Sequence, residues 1–198
     1  MIRTTRVLSI VAGIALSAGA ASAQECKTDI DRYDLDDAQV NALYDCIKDQ
    51  MVEAYAKNAH EAATGYRDWN ATATRPAVAG PHGERFLQTF VNDIGAEEYL
   101  KFAYEGVSMP VGSVLVKESF SLYTKGDKTG QPRVGPLFIM TKVETADAPD
   151  TDGWVYAGVQ PNGKDLKFKQ SFCHDCHSAF DTQDSLGYPL EDVRISSN

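Results

Sequence analysis

Apolar side chains at Val40, Leu43, Tyr44, Ile47, Met51 and Tyr55 recur every three or four positions, and this period predicts a helix running to about residue 57. Asp36 and Asp37 stand before it, where a carboxylate can accept from the first unpaired amides of a helix. Beyond residue 112 the period changes to two. Val114, Val116, Glu118, Phe120 and Leu122 alternate with Leu115, Lys117 and Ser119, which predicts a strand with these two sets on opposite faces. Two further short apolar runs, residues 137–143 and 154–159, are set off by polar segments 124–136 and 146–153, and Pro161-Asn162-Gly163 turns the chain again. Strands joined this closely form an antiparallel meander. The fold class expected is α+β in a single domain, an antiparallel β-sheet meander with flanking helices.

The middle of the chain is less regular. Residues 86–91 are an apolar run too short to fix their own period, and strand is the reading favoured. Asn92 or Asp93 can cap a short helix carrying Tyr99, Phe102 and Ala103 and ending before Gly106. Residues 60–83, with Trp69, Pro76 and Pro81, read as irregular chain laid over the core.

The first 23 residues have a different character. Arg3 and Arg6 precede an apolar run, residues 7–20, that is short for a bilayer span, and Ala21-Ser22-Ala23 is a small-residue cleavage site. Gln24-Glu25 follows instead of a basic stop-transfer cluster, so residues 1–23 read as a cleaved signal peptide and the mature protein as periplasmic and soluble. Its removal leaves 175 residues, enough for one domain with a real core, and takes two arginines, which moves the formal charge from −9 to −11. An acidic surface argues against nucleic acid and, once the signal is gone, against membrane; it suits docking to a basic redox protein, or solubility alone.

The chemistry concentrates near the C-terminus, at Cys173-His174-Asp175-Cys176-His177. Two thiols one helical turn apart can form thioethers with the vinyl groups of a haem, and the adjoining imidazole of His177 can ligate its iron. A bare pair of such thiols could also hold zinc or exchange disulfides, but zinc needs four ligands and a redox dithiol is expected in a βαβ context. In an exported chain the pentad points to one covalently attached haem c. Cys26 and Cys46 are then the only other thiols in an oxidising compartment, so a disulfide between them is expected, two free buried cysteines being the alternative. His174 is expected to face solvent. No methionine follows His177, unlike in small helical electron carriers. His60, His82, Met51, Met109 and Met140 could each supply a sixth iron ligand in principle; that position is read as empty.

An ordered set of segments carries a resemblance: Phe90-Val91-Asn92 with Tyr99, Met109 to Glu118 (MPVGSVLVKE), Met140-Thr141-Lys142, Gly153-Trp154-Val155-Tyr156 and the terminal pentad. Together they resemble the cytochrome P460 family, over roughly residues 81–177. The resemblance implies a haem domain over residues 81–198 with an N-terminal helical segment, 24–80, packed on it, and a homodimer. It also implies oxidation of a small nitrogen compound, hydroxylamine, with electrons passed to a partner cytochrome. Relatives of the cytochrome c′-beta type bind nitric oxide without turnover, and simple electron transfer is a third reading. Lys117 falls on the position of a lysine that cross-links to the haem, although alone it would read as a solvated strand residue. Burial against a haem edge would make its amine easier to deprotonate. Glu118 points to the other face and is not its base. Phe138 falls where hydroxylamine-oxidising members carry an acidic residue; it would cap the iron with an apolar ring, or simply pack in the core.

Overall fold

The computed structural model describes residues 26–195, so the export signal read in residues 1–23 lies outside the described residues. The periodic apolar stripe forms helix α1 (Asp37–Tyr55). Its start is fixed reciprocally. The Asp36 carboxylate accepts from the Gln39 amide at 2.8 Å, while the Gln39 side-chain oxygen accepts from the Asp36 amide at 2.9 Å, a pairing of the kind that contributes about 1 kcal/mol. The Cys26–Cys46 disulfide joins the segment ahead of the helix to its middle, as expected.

Seven strands follow: β1 (Asn70–Ala71), β2 (Ala77–Ala79), β3 (Arg85–Val91), β4 (Val114–Leu122), β5 (Pro132–Val134), β6 (Leu137–Lys142) and β7 (Trp154–Val159). They form one antiparallel sheet in the order β1-β3-β4-β6-β7, with β2 also on β3 and β5 on β4. The expected meander is β4-β6-β7, and residues 86–91 are indeed strand. Three expectations are corrected. Residues 60–83 are not irregular: they hold helix α2 (Glu61–Gly65), a 3-10 turn at Tyr66–Asp68 and the first two strands. Strands of two or three residues are too short to show a period, so the sequence hides them. β5 lies inside what reads as a polar turn, for the same reason. Helix α3 (Asp93–Tyr99), capped by Asn92 at the Gly95 amide, ends before Phe102. Phe102 instead takes a left-handed backbone, φ 48°, and turns into an aromatic group with Tyr99 and Tyr188, under Arg194.

Strand β4 is buried on both faces, and the two sets read from its sequence face different layers. On one side, Val116 and Phe120 lie with Phe86, Phe90, Leu137, Ile139 and Val159 beneath Val40, Leu43, Ile47 and Met51 of α1. On the other, Leu115 lies with Val91, Met140, Trp154 and Tyr156 against Tyr99, Met109 and Leu186. One sheet between two covers gives a single α+β domain. Among the described residues no helix is long and apolar enough to cross a membrane.

Candidate haem site

Strand register brings the first site residues together. Lys117 is opposite Phe138 on β6 and Thr89 on β3, and Phe138 is opposite Gly158 on β7. Directly opposed residues share a face, so these four form a row across the sheet on the side away from α1. Glu118 points the other way, where its carboxylate accepts from Tyr66 at 2.7 Å and from Tyr44 and pairs with Arg67 at 2.6 Å. It cannot serve Lys117.

The pentad ends helix α4 (Gln170–His177), which has no side-chain cap of its own. Gln170 attaches the helix to the sheet: its oxygen accepts from the Tyr156 amide at 2.7 Å and its nitrogen donates to the Tyr156 carbonyl at 2.8 Å. Since β7 is the last strand in the order, this side chain satisfies main-chain groups that no further strand would reach. The chain beyond the pentad is fastened too. The Asp184 carboxylate pairs with Lys142 at 2.7 Å and accepts from the Met109 amide at 2.8 Å, and the Asp184 carbonyl accepts from the Trp154 indole at 2.9 Å.

That fastening sets the imidazole of His177. Its Nδ1 lies 2.8 Å from the Ser185 carbonyl, next in chain to Asp184. A carbonyl only accepts, so the proton is on Nδ1 and the lone pair is on Nε2. Burial, with the charge of Lys117 next, lowers the His177 pKa to about 4, which keeps the ring in its neutral, ligating form. His174 does not face solvent, contrary to expectation. Its ring is held between the Tyr156 hydroxyl, 3.3 Å from Nδ1, and Asp152, 3.4 Å from Nε2. Three positions before His177 on the helix, it shares the sheet-facing side.

Lys117 is not a solvated strand residue: it is only 8% exposed. Its ammonium donates to the Gly187 carbonyl at 2.9 Å, in the segment that orients His177, and burial lowers its pKa to about 8. Phe138 belongs to neither apolar cluster, so plain core packing does not describe it. Its ring stands 4.9 Å from that of His82, and the His82 ring stands 6.4 Å from that of His177. Of the other residues that might reach an iron, His60 caps α2 through Nδ1, and Met51, Met109 and Met140 are buried in the apolar clusters. Cys26 and Cys46 are on the α1 side of the molecule.

The donor set fits a haem better than the rival uses of a Cys-x-x-Cys pair. Cys173 is half-buried and its pKa is pushed up to about 11 by burial and by Cys176, whereas disulfide exchange needs a lowered thiol pKa. Among the described residues no group of three or more His, Cys, Asp or Glu side chains is placed to hold a metal ion, as zinc would need. Two free thiols one turn apart, a neutral imidazole with its Nε2 lone pair unspent, and aromatic rings at Phe138, Tyr156 and His82 suit a flat apolar macrocycle with a metal at its centre.

Sequence reasoning passed over Gln170, Asp184, Ser185 and Gly187. Ser185 and Gly187 act through main-chain carbonyls, which carry no residue-type signal. Gln170 and Asp184 gain their roles only when β7 and the tail are brought together.

Comparison with known proteins agrees with this geometry. The family model for cytochrome P460 matches residues 63–186, from α2 through the pentad to the loop that orients His177. No curated protein matches the chain.

Proposed function

The chain belongs to the cytochrome P460 family and is thus a haem-binding cytochrome; from that premise we propose that it oxidises a small nitrogen compound, hydroxylamine, and passes the electrons to a partner cytochrome. In this reading residues 1–23 export the chain to the periplasm, one haem c is carried covalently by Cys173 and Cys176, His177 ligates its iron, and the protein works as a homodimer. The chemistry supplied by the bound group is electron exchange at an iron open to a small ligand. The chain's own residues hold and shape that place. Ser185 fixes the His177 tautomer through Nδ1, Gln170 ties the helix of the pentad to β7, and Phe138 would present an apolar ring toward the bound group.

The observation that carries the proposal is the position of Lys117. It lies buried on the pentad side of the sheet, bonded to Gly187 two residues from the carbonyl that orients His177, with its amine made easier to deprotonate. That is the setting in which a lysine becomes a nucleophile toward a haem edge, the new C–N bond forming as the amine nitrogen and the ring carbon each give up a hydrogen to a two-electron oxidant such as a peroxide. The test is the ferrous absorption spectrum of the purified mature protein beside that of Lys117→Ala. A cross-link predicts that the substitution shifts the spectrum to the ordinary c-type pattern; an unchanged spectrum removes the cross-link. A colourless product, from a host able to mature cytochromes, would remove haem attachment altogether.

One observation favours a second reading, capture of nitric oxide without turnover. Phe138 stands where a proton-accepting carboxylate would be needed, and two carboxylates packed beside the pentad, Asp152 and Asp184, are engaged with His174 and with Lys142 and Met109. Phe138→Glu should raise hydroxylamine turnover with an artificial electron acceptor if a missing proton acceptor limits the reaction. No change in turnover or in ligand binding would place Phe138 away from the iron.

A further inference from the structure

A cleft of about 1050 Å³ opens between the middle of α1, with its disulfide, and the hairpin of β4 and β5, and no residue of the pentad lines it. Small-molecule sites usually measure about 300–1,000 Å³, so this one has room for a ligand. Its charge is the reverse of the molecule's. The chain carries 28 Asp and Glu against 19 Lys and Arg, yet Lys27, Arg85, Lys128 and Arg133 line the cleft and no carboxylate does. A second hollow of about 290 Å³ shares Arg85 and Arg133, adds Arg32 and Lys125, and is again lined by no carboxylate. Elsewhere the chain pairs its cations, Arg75 with Asp37, Arg67 with Glu118 and Lys142 with Asp184. The four cations of the larger cleft form no ion pair among the described residues. The wall supplied by Lys27, Cys46 and Gln50 also lies outside residues 63–186, the region that matches the family.

These cations are held in place. Arg133 donates through Nε to the Ser121 hydroxyl at 3.0 Å, and its guanidinium stands 5.5 Å from the centre of the Tyr123 ring, against which the Lys128 ammonium also rests at 5.7 Å. Arg85 donates through Nη1 to the His82 carbonyl at 2.7 Å, while its buried Nε has no hydrogen-bond partner among the described residues. Lys27 is fastened on both sides, by the disulfide at Cys26 and by the Thr28 amide, which donates to the Gly130 carbonyl at 3.1 Å. That approach requires glycine: a Cβ at residue 130, where φ is +82°, would stand 1.9 Å from the Thr28 carbonyl oxygen. Like charges gathered in this way repel one another, and an anion among them removes the repulsion. A lone cation on a surface is merely solvated. Four of them, brought to one concave wall by a disulfide, a glycine contact and an aromatic ring, make a place for concentrated negative charge.

We propose that this cleft binds a small phosphate-bearing polyanion of the pyrophosphate type. The choice of ligand follows from charge and shape. Arg85 and Arg133 offer forked donors that match phosphate oxygens in pairs, and Lys27 and Lys128 add point charges, more than a single carboxylate would neutralise. A concave wall suits a compact ligand, whereas a protein partner is met by a broad patch. The site stands apart from the haem reading and survives its failure.

The experiment is isothermal titration calorimetry of the purified mature protein with inorganic pyrophosphate at low salt, beside sulfate, and beside the double variant Arg133→Gln, Lys128→Gln. Both side chains are exposed, so the variant should keep the circular dichroism and absorption of the wild type. Pyrophosphate should bind one to one and at least tenfold more tightly than sulfate, and the double variant should lose at least tenfold in affinity. Arg133→Lys, which keeps the charge and loses the fork, should lose less. Lys101→Gln with Lys167→Gln removes the same charge outside the cleft and should change nothing. Sulfate bound as tightly as pyrophosphate, or equal losses in the two double variants, would reduce the effect to general attraction and overturn the proposal. So would a polyglutamate peptide that binds where pyrophosphate does not, since the cleft would then be a docking face for an acidic protein.

Discussion

Lys117 shows how a single position can be misread from residue type alone. In a strand of alternating pattern a lysine ordinarily marks the solvated face, yet both faces of β4 are buried, and the amine ends against the Gly187 carbonyl. Only the resemblance carried by the surrounding Val-Lys-Glu segment pointed inward. The burial has a consequence for stability. The folded amine has a pKa of about 8 against an ordinary 10.5, so between those values the unfolded chain binds the extra proton and unfolding free energy rises with pH. In the chain purified without haem, the denaturant midpoint of wild type relative to Lys117→Leu should therefore climb from about pH 8 to 10.5, both proteins sharing the fall in stability that the buried tyrosines, with their raised pKa values, bring as pH nears 10. A wild-type profile parallel to that of the variant would mean the amine is not buried in solution.

At the scale of elements, legibility follows length. The long α1 and the nine-residue β4 could be read from their periods, with the capping residue Asp36 and both strand faces correct. β1, β2 and β5 could not, since two or three residues carry no period and their pairing is settled by β3 and β4 beside them. α3 was read too long because Phe102, apolar and at helical spacing, is drawn off by Tyr188 and Arg194, which are distant in sequence. The pentad was legible as a motif, but not the device that attaches it, the Gln170 amide on the edge of β7. The disulfide was legible by count, and its placement makes a prediction. It closes a loop with a separation of 20 residues, on the α1 side of the sheet. Replacing Cys26 and Cys46 together by serine should lower stability by about 3 kcal/mol in urea titrations while leaving the haem spectrum unchanged. A spectral change would mean that the N-terminal segment reaches the haem side.

For the whole molecule, the matched region and the folding unit do not coincide. The family match begins at residue 63 and so leaves out α1, yet the sheet within it has two buried faces and α1 supplies the cover of one. Val40, Leu43, Ile47 and Met51 are each at most 4% exposed against that face. At about 1.5–3 kcal/mol for each large apolar side chain fully buried, they contribute on the order of 10 kcal/mol, as much as a typical domain's entire margin of about 5–15 kcal/mol. Tyr44 of the same helix also donates to the buried Glu118 carboxylate, and Arg67, which pairs with it, donates back to the Lys48 carbonyl of α1. Without the helix that charge would keep fewer partners next to a newly exposed apolar face, an expensive arrangement. A chain begun at residue 58 should accordingly lose cooperative unfolding and near-UV dichroism and aggregate, although it contains every residue assigned to the haem. Sharp two-state unfolding of that shortened chain would show instead that the sheet and the pentad stand without their second layer.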